Sequence, residues 1–445
     1  MNQTQSFCPV CLEVLPARVL DTDRGAVMEK SCAEHGPFSA VLSPDVDLYE
    51  RLSRGEGKVS GPWTPNVGTD RGCPHHCGLC PEHEQHTCVA ILEITSRCDL
   101  ECPVCLASSF PRGRDLEREV IERALRGLLA SQGQVASLQI SGGEPTQHED
   151  LIEIIRYAAS LGFHKVEMYS NGVALAADPH LAGRLRDAGL TCLYLQMDGL
   201  ESEVSLCLRG RDLVREKARA MENCTKADLQ VVLSATVVPG LNDHALWELI
   251  RFGVEEKLTG VNFQPLTLSG RVPSHMARGS ERFTVAHFLR GIEEQSGGRI
   301  LARDLVPIPC PDQRCALLSY ALIHRGELIP LTRLLGEDAL LEQTAGLNDW
   351  ETLIRQTAWA APGSGCSGMS GELPKEIGEL LSSSDFFSIG FHGMMDAYDF
   401  DVARVRRCCV HELTPEGKLI PFCLYNIKYR QTRTEPPEMG AWERS

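Results

Sequence analysis

Three cysteines, Cys98, Cys102 and Cys105, stand in LEITSRCDLECPVC, a CxxxCxxC spacing directly after a short apolar run. Three thiolates so spaced can hold three corners of a four-iron, four-sulfur cluster, and the fourth iron then stays open to an exogenous ligand. The next cysteine is Cys192, so no fourth protein ligand follows nearby. A structural zinc site is the competing reading, but zinc takes four ligands and more usually CxxC spacing. Ser141-Gly142-Gly143-Glu144-Pro145 comes next. Its glycines let a ligand approach the backbone, and the Glu144 carboxylate can accept hydrogen bonds from an ammonium group. Tyr169-Ser170-Asn171-Gly172 and Gln196-Met197-Asp198-Gly199 add polar groups. The first of these also reads as an ordinary Asn-Gly turn.

Other cysteines form further sets. Cys73, Cys77 and Cys80, in GCPHHCGLC, repeat the CxxxCxxC spacing, and Cys88 follows closely. Four thiolates close a cluster, so this set is expected to be auxiliary and coordinatively full; a four-thiolate zinc site is the alternative. His75, His76, His83 and His86 crowd the same loop and receive no role. At the N-terminus, Cys8 and Cys11 form a CxxC knuckle, and Cys32 and His35 a CxxH knuckle. That donor set suits tetrahedral zinc, with a rubredoxin-like mononuclear iron as the alternative. Its role is expected to be structural, because so short a segment needs a staple to fold.

In the last third, Cys310 and Cys315 lie in PCPDQRC, and Cys408, Cys409 and Cys423 follow. Arg407–Thr414 and Lys418–Asn426 read as two strands around Pro415-Glu416-Gly417, a three-residue turn. That register pairs Thr414 with Lys418, and so Cys409 with Cys423. Neighbouring strand residues face opposite ways, so Cys409 rather than Cys408 joins Cys423, and a slip of one residue would reverse the choice. Cys310, Cys315, Cys409 and Cys423 would then hold a second auxiliary cluster, with buried free thiols as the alternative. Cys192, Cys207, Cys224 and Cys366 read as core packing.

The elements that position these residues follow a β/α rhythm from residue 89. Strands are predicted at Val89–Thr95, Val135–Ser141, Lys165–Ser170, Cys192–Met197, Gln230–Val237 and Val261–Leu266. Helices are predicted at Asp115–Ala130, His148–Leu161, Pro179–Ala188, Asp212–Cys224, His244–Glu256 (capped by Asp243) and Val285–Glu294. Six β/α units fall two short of a closed barrel, so the fold class is α/β with a partial, open (β/α)6 barrel, and the active site is expected at the C-terminal strand ends. The organisation is a metal-binding region at 1–60, a cluster loop at 61–88, the barrel at 89–300 and a separate, less regular region at 301–445.

Composition narrows the class. Charged residues make up 23% and hydrophobic ones 43%, a soluble balance. No apolar run approaches the roughly 18 residues that span a bilayer, and MNQTQSFCPVC lacks the pattern of a secretory signal. A cytoplasmic location is therefore expected. With 19 cysteines in short-spaced sets, metal or cluster ligation is preferred over disulfides. A net charge of −16 argues against a nucleic-acid partner and against a zinc-finger binder.

The ordered appearance of CxxxCxxC, GGEP and a third-strand SNG resembles the radical S-adenosylmethionine (SAM) superfamily over about residues 89–300. The resemblance implies that SAM chelates the open iron, and that one electron from the cluster cleaves its sulfonium to a 5′-deoxyadenosyl radical. It places the methionyl amino group on Gly142, Gly143 and Glu144, the ribose and carboxylate near Ser170, Asn171, Gln196 and Asp198, and adenine near Val237 and Val238. GCPHHCGLCPEHEQHTC, PIPCPDQRC, FHGMMDAYDFD and CCVHELTPEGKLIPFCLYN carry a closer resemblance, across nearly the whole chain. They are similar to the group of the archaeal tetraether lipid synthase and the radical SAM methylase of the methanopterin pathway. Membership implies one SAM-binding cluster, auxiliary clusters and a mononuclear metal site.

The main expectation is hydrogen abstraction from an unactivated carbon and carbon–carbon bond formation, as in lipid-chain coupling. Methylation of a pterin-like small molecule is the alternative, and a non-catalytic iron–sulfur scaffold the reading from another class. A reducing partner such as ferredoxin or flavodoxin is expected. A long apolar tunnel above Cys98 would mean lipid; a short polar pocket would mean a small cofactor. The apolar residues Phe386 to Met395 could line that cavity or form a plain core strand.

Overall fold

The computed structural model describes residues 3–55, 64–65, 67–68, 72–75, 77–133, 135–276, 282–308, 310–336, 380 and 383–430. His76 and Cys366 lie outside them.

The N-terminal region is an antiparallel four-stranded sheet of β1 (Gln3–Phe7), β2 (Val14–Thr22), β3 (Gly25–Cys32) and β4 (Gly36–Ser43) in sequential order. Alternation puts Ala17, Val19, Ala26 and Met28 on its small apolar core. The sheet docks through Lys30, whose buried ammonium donates to Ser6 Oγ (2.8 Å) and to the carbonyls of Ala397 (2.6 Å) and Tyr398 (2.8 Å). Phe7 stacks on Phe400 beside it, with centroids 4.4 Å apart.

The barrel strands are β5 (Val89–Thr95), β6 (Ser137–Gly142), β7 (Lys165–Ser170), β8 (Cys192–Gln196), β9 (Gln230–Val237) and β10 (Gly260–Pro265), all parallel and in sequential order. Helices Arg118–Gln132, Leu151–Ser160, Leu181–Ala188, Val214–Lys226, Leu246–Glu255 and Val285–Gln295 follow successive strands. Their apolar stripes, Ile121, Leu125, Ile155, Leu185 and Ile250 among them, share one core with the outward strand residues Leu138, Met168, Leu193 and Leu233. One predicted cap is corrected. Ala245 occupies the N-cap of the fifth of these helices, because Asp243 Oδ1 is already used by the N–H of Gly240 at 3.0 Å.

The C-terminal region adds β11 (Val306–Pro307), β12 (Ala316–His324), β13 (Glu327–Pro330), β14 (Asp385–His392), β15 (Val410–Leu413) and β16 (Leu419–Pro421). It does not stand apart as expected. β14 pairs parallel to β10, and β15 pairs parallel to β5, so each edge of the barrel sheet gains a parallel strand. Antiparallel β12 and β16 then cover these new edges. An open sheet presents unpaired N–H and C=O groups at both edges, and the C-terminal chain satisfies them.

The β15–β16 register is the predicted one. Leu413 faces Leu419, and the Thr414 N–H donates to the Lys418 carbonyl at 2.8 Å. The second strand is shorter than predicted, since Phe422–Leu424 is already helical and takes Cys423 out of the ladder. In β14, Phe387, Ile389 and Phe391 are fully buried in the core, while Phe386, Ser388, Gly390 and His392 line the barrel cavity. Both readings of that segment therefore apply, on alternate faces.

Candidate active site

Cys98, Cys102 and Cys105 occupy the loop after β5. The chain clasps that loop from several sides. Gly143 N–H donates to the Thr95 carbonyl and Glu144 N–H to the Arg97 carbonyl, each at 2.8 Å. A Cβ on Gly142 would lie 2.1 Å from Thr95 O, and one on Gly143 2.1 Å from Arg97 O. The two glycines thus admit the chain's own backbone, a tighter requirement than the ligand approach argued from sequence. Arg97 is held by Asp115, with Nε donating to Oδ1 at 2.9 Å.

Arg271 closes the far side. Its backbone exchanges two 2.9 Å hydrogen bonds with Cys105. Its guanidinium donates to the carbonyls of Cys102 (2.7 Å) and Ser109 (3.0 Å). Sequence reading missed it, because nothing local marks an arginine whose partners lie so far back in the chain. Burial pushes the Cys98 thiol up to about 12. Burial also raises Cys102, against the pull of Arg209.

The polar groups at the next strand ends converge. Glu144 is 1% exposed. Its Oε1 accepts from Ser170 Oγ (2.9 Å) and Thr146 Oγ1 (2.7 Å), and its Oε2 from Asn171 N–H (2.7 Å). Burial raises its pKa above the usual carboxylate range, against the pull of those donors. Asn171 Nδ2 donates to Asp99 Oδ1 at 2.7 Å and lies 4.0 Å from Cys98 Sγ. Asp198 is buried and receives Arg209 in a fork, Nε to Oδ2 and Nη2 to Oδ1, both 2.7 Å. Burial pushes Asp198 up, but Arg209 holds it below the usual range. Gln196 bonds Asp198 and receives the ammonium of Lys217. Arg209 and Lys217 are further residues that sequence reading missed; both sit on helices that follow their partners' strand. Val238 packs with Val104, Val204 and Leu208 beside the cysteine loop, whereas Val237 belongs to the main core.

The auxiliary grouping is corrected at Cys88. Cys73, Cys77 and Cys80 interact with one another. Cys88 instead packs with Cys310 and Cys409; its sulfur is joined to that of Cys310 in a disulfide, and a ring nitrogen of His86 lies within 4.8 Å of both sulfurs. The reason is strand pairing: the N–H of Cys88 donates to the Cys409 carbonyl at 2.9 Å. Cys315, Cys408 and Cys423 gather beside this group, with Arg404 donating to Cys315 Sγ at 3.2 Å. Both Cys408 and Cys409 therefore face the C-terminal thiols. Cys192 is buried but lines the cavity, and Cys224 is core as expected.

At the N-terminus, Cys8, Cys11, Cys32 and His35 bring their donor atoms within 4.8 Å of one another. Cys11 and Cys32 sulfurs are 3.9 Å apart, and Cys32 Sγ is 3.5 Å from His35 Nδ1. The edges of a tetrahedron around zinc would be about 3.4–3.8 Å for such donors. The His35 contact holds Cys32 down at about 7.

A cavity of about 590 Å³ fills the barrel interior. Cys105 and Gly142 lie on its wall, and so do Cys88, Cys310, Cys409 and Cys423. Inward strand positions are largely polar: Gln139, Glu167, Ser234, Asn262 and Gln264 all line it. Tyr169 and Tyr194 stack within it, centroids 4.8 Å apart. Among the described residues, no helix is long and apolar enough to cross a membrane.

Comparison with known proteins agrees with this architecture. Residues 92–253 match the radical SAM superfamily, and residues 1–44 match the HMPTM N-terminal zinc ribbon domain. The chain is 33% identical over 481 residues to 7,8-dihydro-6-hydroxymethylpterin dimethyltransferase of Methanocaldococcus jannaschii, covering 97% of this chain and 94% of that one. It is 32% identical over 166 residues to a probable GTP 3′,8-cyclase of Pyrococcus abyssi, covering 36% of this chain and 51% of that one. Among solved structures, Streptococcus suis SuiB bound to precursor peptide SuiA aligns with a TM-score of 0.41 at 18% identity, over 48% of this chain and 46% of that one. The chain is a radical SAM enzyme, with SAM and a four-iron, four-sulfur cluster as cofactors and a small-molecule substrate and a reductant as partners. Related end to end to the Methanocaldococcus jannaschii protein, it belongs to the radical SAM superfamily and, within it, to the family of that pterin dimethyltransferase.

Proposed function

We propose that this enzyme methylates a reduced pterin by radical chemistry. The observation that carries the reading is the end-to-end relationship to a protein named as a pterin dimethyltransferase. The barrel cavity sets a few polar side chains, Gln139, Glu167, Ser234 and Asn262 among them, in a mostly apolar wall, the makeup of a pocket for a small molecule. These findings favour the pterin alternative over lipid-chain coupling.

Cys98, Cys102 and Cys105 are proposed to hold the SAM-binding cluster, on the loop clasped by Gly143, Glu144 and Arg271. Bound there, SAM supplies a 5′-deoxyadenosyl radical after one-electron reduction. The Gly142–Glu144 strand end is proposed to orient the methionyl amino group, with Ser170 and Asn171 fixing the Glu144 carboxylate. Gln196 and Asp198, locked by Arg209 and Lys217, are proposed to face the ribose and carboxylate.

Two auxiliary clusters fit the remaining thiols. Cys73, Cys77 and Cys80 would hold one, and Cys315, Cys409 and Cys423, with Cys408 beside them and with Cys88 and Cys310 once their disulfide is reduced, would supply ligands for the other. The second group shares the cavity with Cys105, so a cluster there could exchange an electron with bound substrate. Zinc is proposed for Cys8, Cys11, Cys32 and His35, as the ribbon match suggests.

The test is incubation of reduced enzyme with 7,8-dihydro-6-hydroxymethylpterin and excess SAM, one molecule cleaved to the radical and a second, or an added one-carbon donor, supplying the methyl group, read by mass spectrometry. Product heavier by one or two methylene units is expected. A parallel arm uses a deuterated lipid. Deuterium in 5′-deoxyadenosine from the lipid, with the pterin unchanged, would overturn the reading.

A further inference from the structure

Charged groups on the cavity wall include Glu93 (ion-paired with Arg430), Asp304 (ion-paired with Arg333), Lys165 and Glu167. Glu167 points inward from β7, lines the cavity and is 6% exposed. Two neighbours on β6 hold it. Ser137 Oγ donates at 2.6 Å and Gln139 Nε2 at 2.9 Å, and both bonds end on Oε2. Neither engages Oε1. Among the described residues, no arginine or lysine forms an ion pair with Glu167. A buried carboxylate without a cation is costly unless donors satisfy it. A carboxylate offers about four lone-pair sites; the two bonds on Oε2 leave the pair on Oε1.

Its position suits a ring. Glu167 and Gln139 stand opposite each other in the parallel register, as do Tyr169 and Tyr194 one inward step nearer the cluster loop. The stacked tyrosines form a flat wall between Glu167 and the strand ends where the radical is formed. A planar substrate anchored by one edge at Glu167 would extend along this wall toward Gly142.

We propose that Glu167 is the specificity-determining residue for a 2-amino-4-oxopteridine ring, accepting the paired N–H donors of its ring amide and exocyclic amine. This rests on the pterin reading and names the edge of the ring that the site recognises. The complementarity is directional. A 2-amino-4-oxopyrimidine ring presents two parallel donors on that edge, and a carboxylate presents only acceptors. Replacing the amine by an oxo group puts an acceptor against an acceptor.

The decisive variant is Glu167→Gln. Its amide oxygen can keep the bonds from Ser137 and Gln139, so the tie between β6 and β7 survives, while its NH2 turns a donor toward the cavity. Binding of 6-hydroxymethyl-7,8-dihydropterin and of its 2,4-dioxo analogue is measured by calorimetry, with uncoupled 5′-deoxyadenosine formation as a control. Wild type is expected to prefer the pterin. Glu167→Gln is expected to bind the pterin about 10- to 100-fold more weakly, to lose or invert the preference, and to keep uncoupled SAM cleavage and melting temperature.

If the variant keeps wild-type affinity and preference, Glu167 has only a structural role; the proposal is overturned and the pterin reading stands. If it loses affinity for both ligands equally, with a lowered melting temperature, the recognition role is likewise overturned. If wild type cleaves SAM but binds no pterin, the pterin reading fails and this proposal fails with it.

Discussion

The N–H of Cys88 donates to the carbonyl of Cys409 at 2.9 Å, and this bond begins the parallel pairing of β5 with β15. It joins the loop just before the barrel to a strand near the end of the described chain. It also moves Cys88 away from the CxxxCxxC set that precedes it in sequence, and into the group with Cys310 and Cys409.

Cluster assignment can therefore be separated by mutation. Cys88→Ala and Cys310→Ala are expected to perturb the same cluster, and Cys77→Ala a different one, each with loss of about four irons per chain. Iron analysis with Mössbauer or electron paramagnetic resonance spectra checks this. A Cys88→Ala spectrum matching Cys77→Ala would restore the grouping by sequence proximity.

Replacing Cys98, Cys102 and Cys105 together with alanine is expected to abolish 5′-deoxyadenosine formation and to leave the auxiliary iron in place. Chromatographic assay of the nucleoside, with iron content alongside, measures both. Undiminished cleavage in the triple variant would reject the assignment.

Arg271→Ala removes two donors to the cysteine loop, those to Cys102 O and Ser109 O. At about 1 kcal/mol for each net hydrogen bond, the loop loses roughly 2 kcal/mol of local order. SAM cleavage is expected to fall by about tenfold or more, with an unchanged melting temperature for the rest of the chain. Gly143→Ala should be more severe, because its Cβ would meet Arg97 O at 2.1 Å.

Cys11→Ala is expected to release the N-terminal metal and to lower the melting temperature, since metal binding there is linked to folding of the ribbon. Zinc content by mass spectrometry and calorimetry test it together. A variant that loses the metal and stays equally stable would show the site to be dispensable.

How much of this was legible in the sequence differs by element. The β/α rhythm placed β5, β7 and β9 to the residue, because their apolar outer faces alternate with helices of period 3.6. The CxxxCxxC loop, the GGEP strand end and the knuckles of the ribbon were readable because their partners lie within one β/α unit or one hairpin. The Thr414–Lys418 register was readable for the same reason, being set by a local turn.

Short spacings carried the local chemistry: an open three-thiolate set, a barrel to hold it, and a tetrahedral donor set at the N-terminus. Which distant groups meet was settled by folding. Cys88 joins Cys310 and Cys409 because an open sheet edge recruits β15. Arg271 reaches back to the cysteine loop, and the inward residues Glu167 and Asn262 share one cavity with Cys105. Hydrogen bonds and burial between residues far apart in the chain leave no periodicity and no spacing to read, since closing a long loop costs nearly the same wherever it closes.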